Sequence, residues 1–185
     1  MDPGGRLMWT KSLFSKILHI KGRYESPLPP PRLIIIWENC VLSISKEVLT
    51  KGQSVNSIEC HPDVIYSMSL NRTGSLLATT CKDKKLRIID PRSGEVLRIG
   101  DCHQGNKASK VVYLGDTGQL FSTGFSKFSD REFGIWSQHD LSSPLRMDSI
   151  DSSSGVIFPF YDHDTKMIYM AGKGMNFFIP GQYTY

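Results

Sequence analysis

Between His61 and Trp136 the chain repeats itself, and that repeat constrains the fold more than any single residue does. Cys60-His61 returns as Cys102-His103, Gly74-Ser75-Leu76 as Gly118-Gln119-Leu120, Asp83 as Asp130, and Ile88-Ile89-Asp90 as Ile135-Trp136-Ser137. The spacing grows from 42 residues (61 to 103) through 44 (74 to 118) to 47 (89 to 136). A period in the forties is that of a β-propeller blade, whereas ankyrin and tetratricopeptide units repeat at about 33 and 34 residues. A repeat architecture therefore takes precedence over any enzyme fold.

Short apolar runs separated by turn residues fill each unit, as four short antiparallel strands require. In the first unit, Val64–Leu70 precedes the Asn71-Arg72-Thr73-Gly74 turn, Leu76–Cys81 precedes the Lys82-Asp83-Lys84 turn, and Leu86–Asp90 and Glu95–Gly100 flank Pro91-Arg92-Ser93-Gly94. The second unit repeats this with Val111–Leu114, Leu120–Phe125, Phe133–Trp136 and Leu145–Ser149, and three extra residues in the loop before Asp130 account for the longer spacing. A third unit opens with Gly155–Phe158, turns at Asp162–Lys166, continues through Met167–Ala171, and departs from the pattern at Gly174-Met175-Asn176.

The N-terminal portion reads differently. Residues 11–23 place Leu13, Phe14, Ile17 and Leu18 among lysines, the pattern of a short basic amphipathic helix that either packs or meets a membrane surface or partner. Ser26–Arg32 carries four prolines and reads as a linker. Leu33–Glu38 is β-branched and ends in Trp37-Glu38, as the tail of an earlier unit would, and residues 39–56 read as an outer edge strand followed by a loop. The expected division is a non-matching segment at 1–32 and an incomplete propeller at 33–185, with units near 57–101, 102–151 and 152–185. The fold class is all-β: two complete four-stranded blades and parts of two others.

Composition excludes several classes. With 39% hydrophobic and 22% charged residues among 185, the chain is an ordinary globular segment. A net charge of +4 suits an acidic partner but falls short of a nucleic-acid-binding density. Cysteines at 40, 60, 81 and 102 include no Cys-x-x-Cys pair, so zinc and redox chemistry are not expected and the thiols read as reduced. The longest apolar run, Leu33–Trp37, is far below the ~20 residues of a membrane span, and charges interrupt residues 7–20 where a signal peptide needs an apolar core. A cytoplasmic protein is expected.

His61 after a small residue, Asp83 in a tight turn and the apolar position before Asp90 have the spacing of WD repeats. In that family a histidine, a turn aspartate, a Ser or Thr and a tryptophan form a buried hydrogen-bonded network. The resemblance assigns structural positions to His61, Asp83, His103, Asp130 and Trp136, with Ile89 standing in for the first tryptophan. More specifically, the strings at 61–97, 123–145 and 153–174 resemble the propeller of coronins, in wording closest to the metazoan type II members. The resemblance implies a cytoplasmic, actin-associated protein whose propeller binds actin filaments without catalysis, other cytoskeletal proteins being further candidate partners. The family's N-terminal blades, which hold its actin-contacting basic residue, and its oligomerising coiled coil have no counterpart in residues 1–185, so no functional residue is carried over from them. The competing expectation is a WD-repeat scaffold that recognises a peptide or adaptor protein without actin.

Three clusters invite sharper readings. Cys60-His61-Pro62-Asp63 resembles a thiolate–imidazole nucleophile, but its members are sequence neighbours and His61 fits the blade network. Asp162-His163-Asp164 offers metal-ligand types where a turn is needed, so a solvated turn is expected. Lys82, Lys84, Lys85 and Arg87, with Lys127 and Arg131 in the corresponding turn of the second unit, are either a partner-binding basic surface or solvated turn charges. No nucleic-acid partner, metal, cofactor or enzymatic activity is expected.

Overall fold

The computed structural model describes residues 33–38, 41–46 and 54–172, and every regular element there is a β-strand. The expected helix at 11–23, the linker at 26–32 and the pattern break at Gly174-Met175-Asn176 lie outside the described residues. Among the described residues, four antiparallel sheets succeed one another along the chain. The first has the order β1 (Leu33–Glu38), β2 (Val41–Lys46), β3 (Ser54–Ile58). The expected outer edge strand in residues 39–56 is thus the central strand β2, paired on both sides, and β3 forms the edge.

The next two sheets are complete blades. One holds β4 (Ile65–Leu70), β5 (Leu77–Cys81), β6 (Lys85–Ile89) and β7 (Val96–Asp101). Its successor holds β8 (Lys110–Tyr113), β9 (Gln119–Phe125), β10 (Arg131–Ser137) and β11 (Arg146–Asp151). A last sheet contains β12 (Ile157–Asp162) and β13 (Met167–Gly172). Side chains alternate across a strand, so the two faces of each blade meet different neighbours. Leu77 and Ile89 pack with Ile58, Ile65 and Met68, while Ala78, Leu86 and Ile88 meet Leu120 and Trp136. Phe121, Phe133 and Ile135 then pack on Ile157, Ile168 and Met170.

Burial on both faces puts polar side chains inside, and they must find partners there. The repeat supplies them. Thr80 Oγ1 donates to the Ser109 carbonyl at 3.1 Å, and Thr123 Oγ1 donates to that of Ile157 at 2.8 Å, each reaching the next blade. Ser67 and Ser69 hydroxyls accept the amides of Val111 and Tyr113, tying the inner strands β4 and β8 together.

Register corrects the sequence alignment by one residue. Leu77 pairs with Ile89 and Leu120 pairs with Trp136, so Leu77 rather than Leu76 matches Leu120. The hairpins before them, residues 71–76 and 114–119, are closed alike by Asn71 N donating to Leu76 O and Leu114 N to Gln119 O, both at 3.0 Å. What moved is the glycine: Gly74 and Gly118, with φ of +68° and +70°, occupy successive places in equal turns. The insertion in the second unit is consequently four residues, not three. Nine residues (124–132) separate Thr123 from its partner Phe133, against five (81–85) between Thr80 and Leu86. All four enter the β9–β10 ladder as two further rungs, Gly124 with Glu132 and Phe125 with Arg131, and the five residues inside the last pair (126–130) match the five (81–85) inside Thr80 and Leu86.

Candidate functional site

Each blade carries a buried histidine, and the two are wired differently. His103 Nε2 lies 2.8 Å from Ser122 Oγ, His103 Nδ1 lies 2.8 Å from Glu132 Oε1, and the Trp136 indole N–H donates to the same Ser122 Oγ at 2.8 Å. Two glycines make room for this set. A Cβ on Gly124 would collide with the His103 ring, and one on Gly134 would stand 2.8 Å from Trp136 Nε1. Asp130, the expected carboxylate, is displaced: the longer hairpin leaves it in the turn, and Glu132 on β10 takes its role. In the first blade His61 Nε2 meets Thr79 Oγ1 at 2.8 Å and Nδ1 meets Cys60 Sγ at 3.3 Å. Asp83 is bound instead by both terminal nitrogens of Arg87 and by the Lys85 amide, and Ile89 supplies no donor where Trp136 does.

The wiring fixes the charges. Burial lowers His61 to about 4, reinforced by the Arg87 guanidinium and opposed by Asp83. Burial pushes His103 in the same direction, but the Cys102 sulfur and the Glu132 carboxylate override it and hold His103 up at about 9. A cationic His103 donates from both ring nitrogens, which leaves the Ser122 hydroxyl hydrogen for the Gly134 carbonyl at 3.5 Å.

These shifts predict a stability optimum in pH. Below the ordinary value of 6.5 the unfolded chain binds a proton that folded His61 refuses, so stability is lost as pH falls from 6.5 toward 4. Above 6.5 the unfolded chain releases a proton that folded His103 retains, so stability is lost as pH rises toward 9. The thermal midpoint should peak near 6.5, with the alkaline arm flattened in His103→Gln and the acid arm in His61→Gln. Calorimetry across that range checks this; arms unchanged by either variant would refute it.

Ser122, His103 and Glu132 have the hydrogen-bond order of a hydrolytic triad, but a nucleophile must meet its substrate. Ser122 is fully buried and its oxygen already accepts the indole N–H. The set joins strands rather than presenting a nucleophile. The Cys60–His61 pair is no better placed, since burial raises the Cys60 thiol and lowers His61, disfavouring thiolate and imidazolium alike. Asp162 spends its carboxylate on its own turn, accepting from the Asp164 amide at 3.1 Å and the Thr165 hydroxyl at 2.7 Å. Among the described residues, no group of three or more His, Cys, Asp and Glu side chains is arranged to hold a metal ion.

The basic residues divide sharply. Arg87 is 6% exposed and Arg131 is 0% exposed, each in a bidentate pair, with Asp83 and Asp151 respectively. Neither presents its guanidinium to a partner, which corrects the expectation of a common basic surface. They also face opposite ways. Arg87 lies on the side of its sheet that holds His61, whereas Arg131 reaches forward to the Gly155 carbonyl at 3.3 Å. Lys82, Lys84 and Lys85 lie at the surface turn, each engaged: Lys82 with Asp63, Lys85 with Asp101, and Lys84 Nζ with the Gln104 carbonyl at 2.8 Å. Lys127 stands at the exposed tip of the β9–β10 hairpin. Beside it, Phe128 is 88% exposed, a position the sequence reading passed over because a lone aromatic in a turn carries no periodicity.

Comparison with known proteins follows the blades. The chain is 55% identical to Coronin-2B of Xenopus tropicalis over 123 residues and 50% identical to human Coronin-2A over 141, covering 66% and 76% of the chain. A crystal structure of the WD40 domain of Toxoplasma gondii coronin superposes with a TM-score of 0.70 at 31% identity, covering 77% of this chain and 37% of that one. No family model matches. The chain is a coronin-type WD-repeat chain. It spans about a quarter of the length of the curated coronins it matches, 25% and 26% in these two cases. Its described strands form a partial coronin propeller, and no helix among the described residues is long and apolar enough to cross a membrane.

Proposed function

We propose that this coronin-type chain belongs to an actin-filament-binding cytoskeletal protein of the cytoplasm, acting through a propeller surface and not by catalysis. The similarity to coronins across both complete blades carries the reading. The sealed Ser122 hydroxyl supports the non-catalytic part. Charge alone does not supply the filament contact, because Arg87 and Arg131 are internal and three of the four lysines are engaged within the fold. Contact through mixed apolar and charged groups is therefore expected, with only moderate salt dependence.

Co-sedimentation of the chain with filaments across a salt series tests this. Saturable pelleting at low salt, above the amount that sediments without filaments, is the expected result. No such pelleting at low salt would count against actin and favour the peptide or adaptor scaffold.

A further inference from the structure

We propose that the tip of the β9–β10 hairpin, Lys127-Phe128, is a preformed docking knob for the filament, with Phe128 seated in an apolar pocket and Lys127 against a carboxylate at its rim. This rests on the actin reading above. Single exposed apolar side chains are common on protein surfaces, so the case depends on how this one is held. Residues 126–130 form a closed loop: Ser126 N donates to the Asp130 carbonyl at 2.8 Å, Ser129 N to the Ser126 carbonyl at 3.0 Å, and the Phe128 and Asp130 amides to Ser126 Oγ at 3.1 and 3.2 Å. Four of the five backbone amides are thereby satisfied within the tip. Ser129 adopts a φ of +70°, a conformation that costs a non-glycine residue free energy. The loop is closed by its own hydrogen bonds, yet it presents its phenyl ring almost wholly to water.

The equivalent turn of the first blade shows what closing a blade requires. Lys82-Asp83-Lys84 has the length of Lys127-Phe128-Ser129 and the same positive φ at its third residue, but it is fastened to its surroundings, through Lys82 N to the Val64 carbonyl at 2.9 Å and Lys84 Nζ to the Gln104 carbonyl. Its two lysines and the adjacent Lys85 are engaged by Asp63, Gln104 and Asp101. The second blade's hairpin carries its turn two rungs further out, and no ion pair of Lys127 occurs among the described residues. An aromatic side chain with two torsions on a rigid tip loses little freedom on binding, which is the property of an anchor residue. The engaged lysines of the first blade's turn also argue for a protein partner over an anionic lipid surface, which needs several uncompensated cations.

Filament co-sedimentation of the full chain, wild type beside Phe128→Ser, Lys127→Glu and Leu145→Ser, tests the knob. Leu145 is 59% exposed beyond the opposite end of β10 and controls for general loss of apolar surface. Phe128→Ser should raise the filament concentration for half-binding about tenfold or more, in the range of an anchor residue. Lys127→Glu should weaken binding mainly at low salt and flatten the salt dependence, while Leu145→Ser stays at wild type. Unchanged thermal midpoints establish that the variants fold alike. If the wild type pellets and Phe128→Ser pellets equally, or Leu145→Ser loses as much, the knob is overturned and the actin reading stands. If the wild type fails to pellet at low salt, both fall. Phe128-dependent flotation with phosphatidylserine vesicles, with filament binding unaffected, would also overturn the knob.

Discussion

Replacing Trp136 with alanine is expected to lower the unfolding free energy by about 3–5 kcal/mol, the range for deleting a large aromatic from a packed core. The side chain is 1% exposed and packs with Ala78, Leu86, Ile88, Leu120 and Leu141, so a cavity there removes contacts from two blades at once. Its indole N–H also holds Ser122 Oγ, which His103 meets as well. Trp136→Phe separates the two contributions: the ring survives and the donor is lost, so a smaller cost of about 1–2 kcal/mol is expected. Urea denaturation of the three proteins measures both. A loss below about 1 kcal/mol for the alanine variant would mean that the interface between the blades is not packed as described.

Most strands were legible because turns and apolar runs are local properties. Asn71 shows why: its side-chain oxygen accepts the Ser75 and Leu76 amides, so the residues that make the turn also make it visible in sequence. The failures are non-local. Asp130 matched Asp83 in sequence, yet the two added rungs of β9–β10 brought Glu132 to His103 instead, and strand pairing is needed to count those rungs. The Gly74–Gly118 match misled for a related reason. Each glycine satisfies a positive φ, but at different places in turns of equal length, so the strands beyond were aligned one residue out of step. Arg87 and Arg131 looked like surface charges because an arginine in a short alternating strand reads the same whether it faces water or a carboxylate. For Arg131 that carboxylate is Asp151, twenty residues further along the chain.

That pair makes the second large prediction. Asp151→Ala takes the carboxylate from a guanidinium that is 0% exposed, and breaking such a buried pair costs about 3–5 kcal/mol. Arg131→Ala should cost less, about 2–3 kcal/mol, because the Asp151 side chain is 30% exposed and water can solvate the charge left behind. Burial of ions is costly in itself, so Arg131→Met combined with Asp151→Leu should recover much of either loss, giving a double-mutant cycle with coupling well above the ~0.5 kcal/mol of independent sites. Acid provides a separate check. Arg131 holds Asp151 below the ordinary carboxylate value of 3.8, so the pair stabilises the fold above that value and is lost as pH falls through the lower folded one. The penalty of Asp151→Ala should therefore shrink in strong acid, where the wild-type carboxylate is itself neutralised. A penalty constant down to the lowest pH at which the chain still folds would mean that Asp151 contributes packing and not charge.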